Sequence, residues 1–283
     1  MDALISTDAL AKALGAPGLH IVDATYFLPD LGRDARAEHE AGHIPGARFL
    51  DLASLVDPAA SLPNAFPPAD IVGQRLGALG IGADERILLY DNSPYRTAAR
   101  AWFILRHYGL GDVVLLDGGY AKWLADGLPV QKDAATPAPA ATSPGLGARK
   151  DSLRSLADMR GNIDSGAEQV LDARGAGRFS GEEAEIRPGM ASGHIPGARN
   201  LPYGQLFAED GTWKRGAALA AAFTDAGIDL DRPIVTTCGS GITAATLLFG
   251  LHLLGKQDIA LYDGSWSEWG ADATTPKATG RAA

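Results

Sequence analysis

The same landmarks occur twice in this chain, in the same order and at nearly constant separation. Ile21-Val22-Asp23-Ala24 answers Val170-Leu171-Asp172-Ala173, and Gly42-His43-Ile44-Pro45-Gly46-Ala47-Arg48 returns unchanged as Gly193 to Arg199. Ile87-Leu88-Leu89-Tyr90-Asp91 answers Ile234-Val235-Thr236-Thr237-Cys238, and Leu116-Asp117-Gly118-Gly119 with Trp123 answers Tyr262-Asp263-Gly264-Ser265 with Trp269. Paired positions such as Asp23 with Asp172 and Asp91 with Cys238 stand about 150 residues apart, too long a period for a solenoid. The chain is therefore a tandem duplication of one domain. Its 283 residues accommodate two domains with a core each. The expected boundaries are 1–131 and 151–274, with a Pro/Ala/Ser-rich linker at 132–150 and a frayed tail at 275–283.

Within each copy, short apolar runs bounded by turn residues alternate with helical periodicity. Strands are expected at 20–23, 86–90 and 113–116, and again at 169–172, 233–237 and 259–262. Helices are expected at 7–14, 68–78 and 96–108, then at 215–226 and 242–254. This alternation predicts an α/β fold, each copy a parallel sheet flanked by helices, with ligands at the carboxyl ends of the strands.

Cys238 stands at such a strand end. Pro233 to Thr237 reads as a buried strand and Ile242 onward as a helix, with Cys238-Gly239-Ser240-Gly241 between them. The glycines let the loop curl with its N–H groups inward, and the helix N-terminus adds partial positive charge. Both favour a thiolate, the nucleophilic form of cysteine. The first copy carries Asp91 at this place, which cannot accept sulfur, so that copy reads as non-catalytic.

The motif Cys238-Gly239-Ser240-Gly241-Ile242-Thr243-Ala244 resembles the active-site loop of the rhodanese family, in its mercaptopyruvate sulfurtransferase branch. The duplicated domain, the repeated Gly-His-Ile-Pro-Gly turn and Asp263-Gly264-Ser265-Trp266 resemble that family too. The resemblance implies a Cys238 persulfide, with Ser240 assisting proton transfer and Gly239, Gly241, Ile242 and Thr243 lining the loop. It further implies that Arg178 and Arg187 clamp the donor's carboxylate and keto oxygen, as bidentate guanidinium recognition requires. Tyr26 would line the cleft from the first copy. No cofactor or metal is implied. The partners are a small sulfur donor and a thiol, thioredoxin or cyanide acceptor.

Several residues read as structural. His43 and His194 recur in a copy without cysteine and read as turn residues. Trp123 and Trp269 read as core, and Arg174 as one half of an ion pair. In relatives proposed to use a Ser/His/acid relay, the His and acid places align here with Asn64 and Ala53. The Cys-to-Arg spacing of cysteine phosphatases is broken by Ala244, and the loop lacks the basic residues that suit thiosulfate. Thiosulfate transfer and a non-catalytic persulfide-carrier or partner-binding module remain the alternatives.

A net charge of −9 without a basic run argues against nucleic acid and anionic membranes. No apolar stretch approaches a membrane span, and the N-terminus resembles no secretory leader. A single cysteine fits a cytoplasmic protein.

Overall fold

The computed structural model describes residues 3–82, 85–132, 145–149, 151–185 and 187–281. Most of the expected linker at 132–150 lies outside them. The chain divides into two compact units, residues 1–58, 66–149 and 208–213, and residues 59–65, 150–207 and 214–283. Residues 59–65 thus cluster with the second unit although they follow the first repeat's turn, and 208–213 cluster with the first.

In the first unit the order is β1 (Leu4–Ile5), α1 (Thr7–Ala13), β2 (Leu19–Asp23), α2 (Ala35–Ala41), β3 (Arg48–Phe49), α3 (Ala69–Ala78), β4 (Arg86–Tyr90), α4 (Ala98–His107), β5 (Val113–Leu116) and α5 (Gly119–Ala125). The second unit repeats it with β6 (Leu153–Arg154), α6 (Leu156–Ser165), β7 (Gln169–Asp172), α7 (Ala176–Ser180), β8 (Arg199–Asn200), α8 (Gly216–Asp225), β9 (Ile234–Thr237), α9 (Ala244–Leu253), β10 (Ile259–Tyr262) and α10 (Ser265–Trp269). Each unit holds a five-stranded sheet, ordered β1-β5-β4-β2-β3 and β6-β10-β9-β7-β8. All pairings are parallel.

The central strands are buried because both sheet faces are covered, which is why they read as continuous apolar runs. One core gathers Leu10, Ile21, Ile44, Leu88, Tyr90 and Trp123, and the other Met159, Val170, Ile195, Val235, Tyr262 and Trp269. The helix expected from residue 96 begins at Ala98, because Arg96 takes a left-handed φ of 54°.

The tail expected to fray is held instead. The Trp269 indole donates to the Pro276 carbonyl at 2.8 Å, and Thr275 is buried. His194 and Ala278 form an antiparallel bridge through bonds of 2.8 and 2.9 Å. The first unit has the same arrangement: Trp123 donates to Pro129 and His43 bridges Gln131. The tail is therefore the second copy of a buttress for the Gly-His-Ile-Pro-Gly turn.

Candidate active site

Cys238 directly follows β9, between β7 and β10 in the sheet. Its amide donates to Ser265 Oγ at 3.1 Å, and its carbonyl accepts from the Trp266 amide at 2.9 Å. Ser265 Oγ in turn donates to the Tyr262 carbonyl at 2.9 Å. Ser265 holds a left-handed φ of 51°, unusual for a residue with a side chain, and these bonds hold it there. Its counterpart is Gly119, also left-handed at 61°.

Beyond Cys238 the chain turns through Gly241, φ 77°, into α9. The amides of Gly239, Ser240, Ile242 and Thr243 donate to no protein acceptor among the described residues. Unspent amides around a thiol at a helix N-terminus are suited to hold negative charge. Cys238 is 2% exposed and Ser240 6%.

Both candidate arginines converge on Gly239. A Cβ placed at Gly239 would stand 3.2 Å from Arg178 Nη2, so glycine here admits the guanidinium. Arg187 Nη1 donates to Ser267 Oγ at 2.5 Å, and Ser267 donates to the Gly239 carbonyl through Oγ at 2.6 Å and its amide at 2.9 Å. Arg178 also donates to Glu185 Oε2 at 2.5 Å, while Arg174 donates to Glu185 Oε1 at 2.6 Å.

Arg174 is fully buried. It donates to both Asp172 oxygens at 2.6–3.1 Å and to the Gly193 carbonyl, and it lies over the Trp266 ring. Burial alone would lower its pKa, but Asp172 and Glu185 outweigh that and raise it. The alternating chain Asp172–Arg174–Glu185–Arg178 leaves no charge in the interior without a counter-charge, as buried ions require. Ser267 was not singled out from the sequence, and its place beside Trp266 was the only signal.

Asn64, at φ 58°, donates from Nδ2 to Ser240 Oγ at 3.0 Å within the second unit. Ala53 and Tyr26 belong to the first unit. Tyr26 is held there through its backbone, by Thr97 and Ser93.

A family model for the rhodanese-like domain matches this chain twice, over residues 6–126 and 155–272. The chain belongs to the rhodanese family. Human 3-mercaptopyruvate sulfurtransferase is 39% identical over 273 residues, spanning 94% of this chain and 91% of its own. Thiosulfate sulfurtransferase of Cricetulus griseus is 35% identical over 274 residues, with the same two coverages. The crystal structure of SseA from Escherichia coli, a study of 3-mercaptopyruvate sulfotransferases, superposes with a TM-score of 0.84 at 34% identity, covering 95% of this chain and all of that one. These relatives share sulfur transfer and differ in the donor.

The first rhodanese domain has a filled loop where the second has an open one. Asp91, in the place of Cys238, accepts from the amides of Ser93 at 2.9 Å and Ala98 at 2.8 Å. Burial nonetheless pushes its pKa up to about 6, against the opposing pull of Arg96 and those two amides. The twin histidines are turn residues. His43 and His194 place Nδ1 2.8 Å from the carbonyls of His39 and Phe179, and each ring stacks on the side chain of that same residue. Among the described residues, no helix could cross a membrane and no cluster of three or more His, Cys, Asp or Glu could hold a metal ion.

Proposed function

We propose that this chain is a 3-mercaptopyruvate sulfurtransferase. The observation that carries the reading is the meeting of a neutral cysteine loop with two arginines at Gly239, one beside its Cα and one tied through Ser267 to its carbonyl. A monoanionic 2-keto acid needs planar donors for its carboxylate and no further positive charge at the sulfur. Two full-length relatives carry the corresponding name, one human and one from Escherichia coli.

In this reading Arg178 and Arg187 hold the carboxylate and keto oxygens. The Cys238 thiolate attacks the donor sulfur, an S–S bond forms, and the C–S electron pair leaves as the pyruvate enolate. The enolate takes a proton through the Ser240 hydroxyl, which water replenishes. Asn64 donates to a Ser240 lone pair and leaves its proton free to point at the reacting atoms. The loop amides stabilise the persulfide anion. Cyanide, a small thiol or thioredoxin then takes the outer sulfur and regenerates the thiolate, which gives ping-pong kinetics. Ile242 and Thr243 continue the loop wall, and Gly241 provides its turn. The protein works in the cytoplasm.

The test is pyruvate release from 3-mercaptopyruvate with cyanide as acceptor, beside thiocyanate formation from thiosulfate. The expected result is preference for mercaptopyruvate, abolished by Cys238→Ser. Preference for thiosulfate would overturn the donor assignment and keep the persulfide. No turnover with either donor, but persulfide formation from a protein donor, would make the chain a carrier.

A further inference from the structure

The second unit contains a cavity of about 500 Å³ between α7, the edge strand β8, the C-terminal end of α8 and the tail. Arg199 and Arg281 line it, as do Glu182 and Asp225. Each of these four side chains lacks a hydrogen bond or ion pair with any described residue. Two positive and two negative groups thus share one wall, each more than an ion-pair distance from the others.

The duplication supplies a comparison. Arg48, the counterpart of Arg199, has its guanidinium tied to the Leu79 carbonyl and, at 2.8 Å, to His20, which pairs with Glu85. The positions of His20 and Glu85 are taken in the second copy by Gln169 and Arg232, which turn to the carbonyls of Asp229 and Gly166. Arg199 has lost both partners and rests along Gly227, its side chain 3.4 Å from where a Cβ would stand. Arg281 is placed by its neighbour, since the Gly280 amide donates to the Ser180 carbonyl at 2.8 Å. Phe179 and Asn200 also line it.

We infer that this cavity is a binding site for a small zwitterion of the amino-acid or short-peptide class. Arg199 and Arg281 take the carboxylate, and Asp225 and Glu182 take the ammonium. A simple anion would leave the two carboxylates facing it, and a simple cation would face the arginines. The volume lies in the range of small-molecule sites. The site lies on the face of α7 presented by Ala176 and Phe179, whereas Arg178 on the same helix reaches Gly239. It is therefore separate from the cysteine loop and does not depend on the donor reading.

The test is calorimetric titration of the full chain with glycylglycine, beside acetylated glycylglycine, methylammonium and inorganic phosphate. Saturable binding of glycylglycine is expected, roughly tenfold weaker in Arg199→Ala and several-fold weaker in Asp225→Asn. Sulfur transfer by both variants should be unchanged. Should Arg199→Ala fail to fold, Arg281→Ala reads the same contact from the exposed tail. The inference is overturned if glycylglycine does not saturate at tens of millimolar. It is also overturned if acetylated peptide or phosphate binds as well, or if the variants bind like the parent.

Discussion

Replacing Asp91 by asparagine tests whether the first domain's loop is filled by a carboxylate held at an energetic cost. Burial pushes this carboxyl from an ordinary 3.8 up to about 6. The folded state therefore binds the proton more tightly than the unfolded chain, and stability falls as pH rises from about 4 to about 6, then levels. Two pKa units correspond to about 3 kcal/mol. The substituted asparagine cannot titrate. Its amide offers one acceptor oxygen to the two N–H groups of Ser93 and Ala98, so the variant carries a constant offset at every pH.

The informative quantity is therefore the change in the offset with pH. Urea unfolding of parent and Asp91→Asn at pH 4 and pH 7.5 should show the variant gaining about 2.5 kcal/mol on the parent between the two. A difference that is flat with pH would refute the reasoning. It would mean that the loop amides fully offset burial, and that Asp91 costs the fold nothing in its charged form.

Arg178→Lys keeps the charge but loses the planar fork. It should lower kcat/KM for mercaptopyruvate by roughly ten- to a hundredfold, mostly through KM, in steady-state pyruvate assays. Ser267→Ala removes the link between Arg187 and the Gly239 carbonyl. It should raise KM by roughly tenfold while Cys238 alkylates at the parent rate, which separates donor positioning from damage to the cysteine loop. Deleting residues 275–283 removes the acceptor of the Trp269 indole and both bonds to His194. The expected loss is about 3 kcal/mol in denaturant midpoints, and an unchanged midpoint would restore the expectation of a frayed tail.

The buried strands were legible because both faces of each sheet are covered, so β5 appears as an unbroken apolar run and β4 as one after Arg86. The two-residue edge strands β1, β3, β6 and β8 were not, since two residues carry no period. The cysteine loop could be found from Cys238-Gly239-Ser240-Gly241 alone. Its supports could not. Glu185 reads as an ordinary surface acid until Arg174 and Arg178 close on its two oxygens. Ser267 reads as a helix residue until its hydroxyl bridges Arg187 and Gly239. Ser265 did leave a trace: its repeat partner is Gly119, and a position that alternates between glycine and serine invites a left-handed backbone. The ordered tail was hidden because Pro276 and Ala278 carry no pattern of their own. Their counterparts Pro129 and Gln131 follow Trp123 at nearly the same distance, and that parallel is the signal that reveals it.

The two loops answer one electrostatic demand in different ways, and this decides what a cysteine at position 91 could do. In the second domain the amides of Gly239, Ser240, Ile242 and Thr243 are unspent among the described residues. In the first the corresponding amides are spent: that of Asn92 on Thr25 Oγ1, that of Ser93 on Asp91 Oδ1, and those of Tyr95 and Arg96 on the Ser93 hydroxyl and carbonyl. Asp91→Cys would free only the Ser93 amide among them, and two further supports would still be missing. Gly119 stands at the place of Ser265, so no hydroxyl receives the amide of residue 91. The clamp is absent too, for Arg33 is paired with Glu38 at 2.6 Å and no sequence counterpart of Arg178 and Arg187 precedes His43. A chain carrying Asp91→Cys together with Cys238→Ser should therefore alkylate at position 91 but release no more pyruvate than Cys238→Ser alone. Pyruvate release above that baseline would show that strand end, thiol and helix N-terminus suffice for sulfur transfer, and that the arginines and Ser265 tune the rate without being required for it.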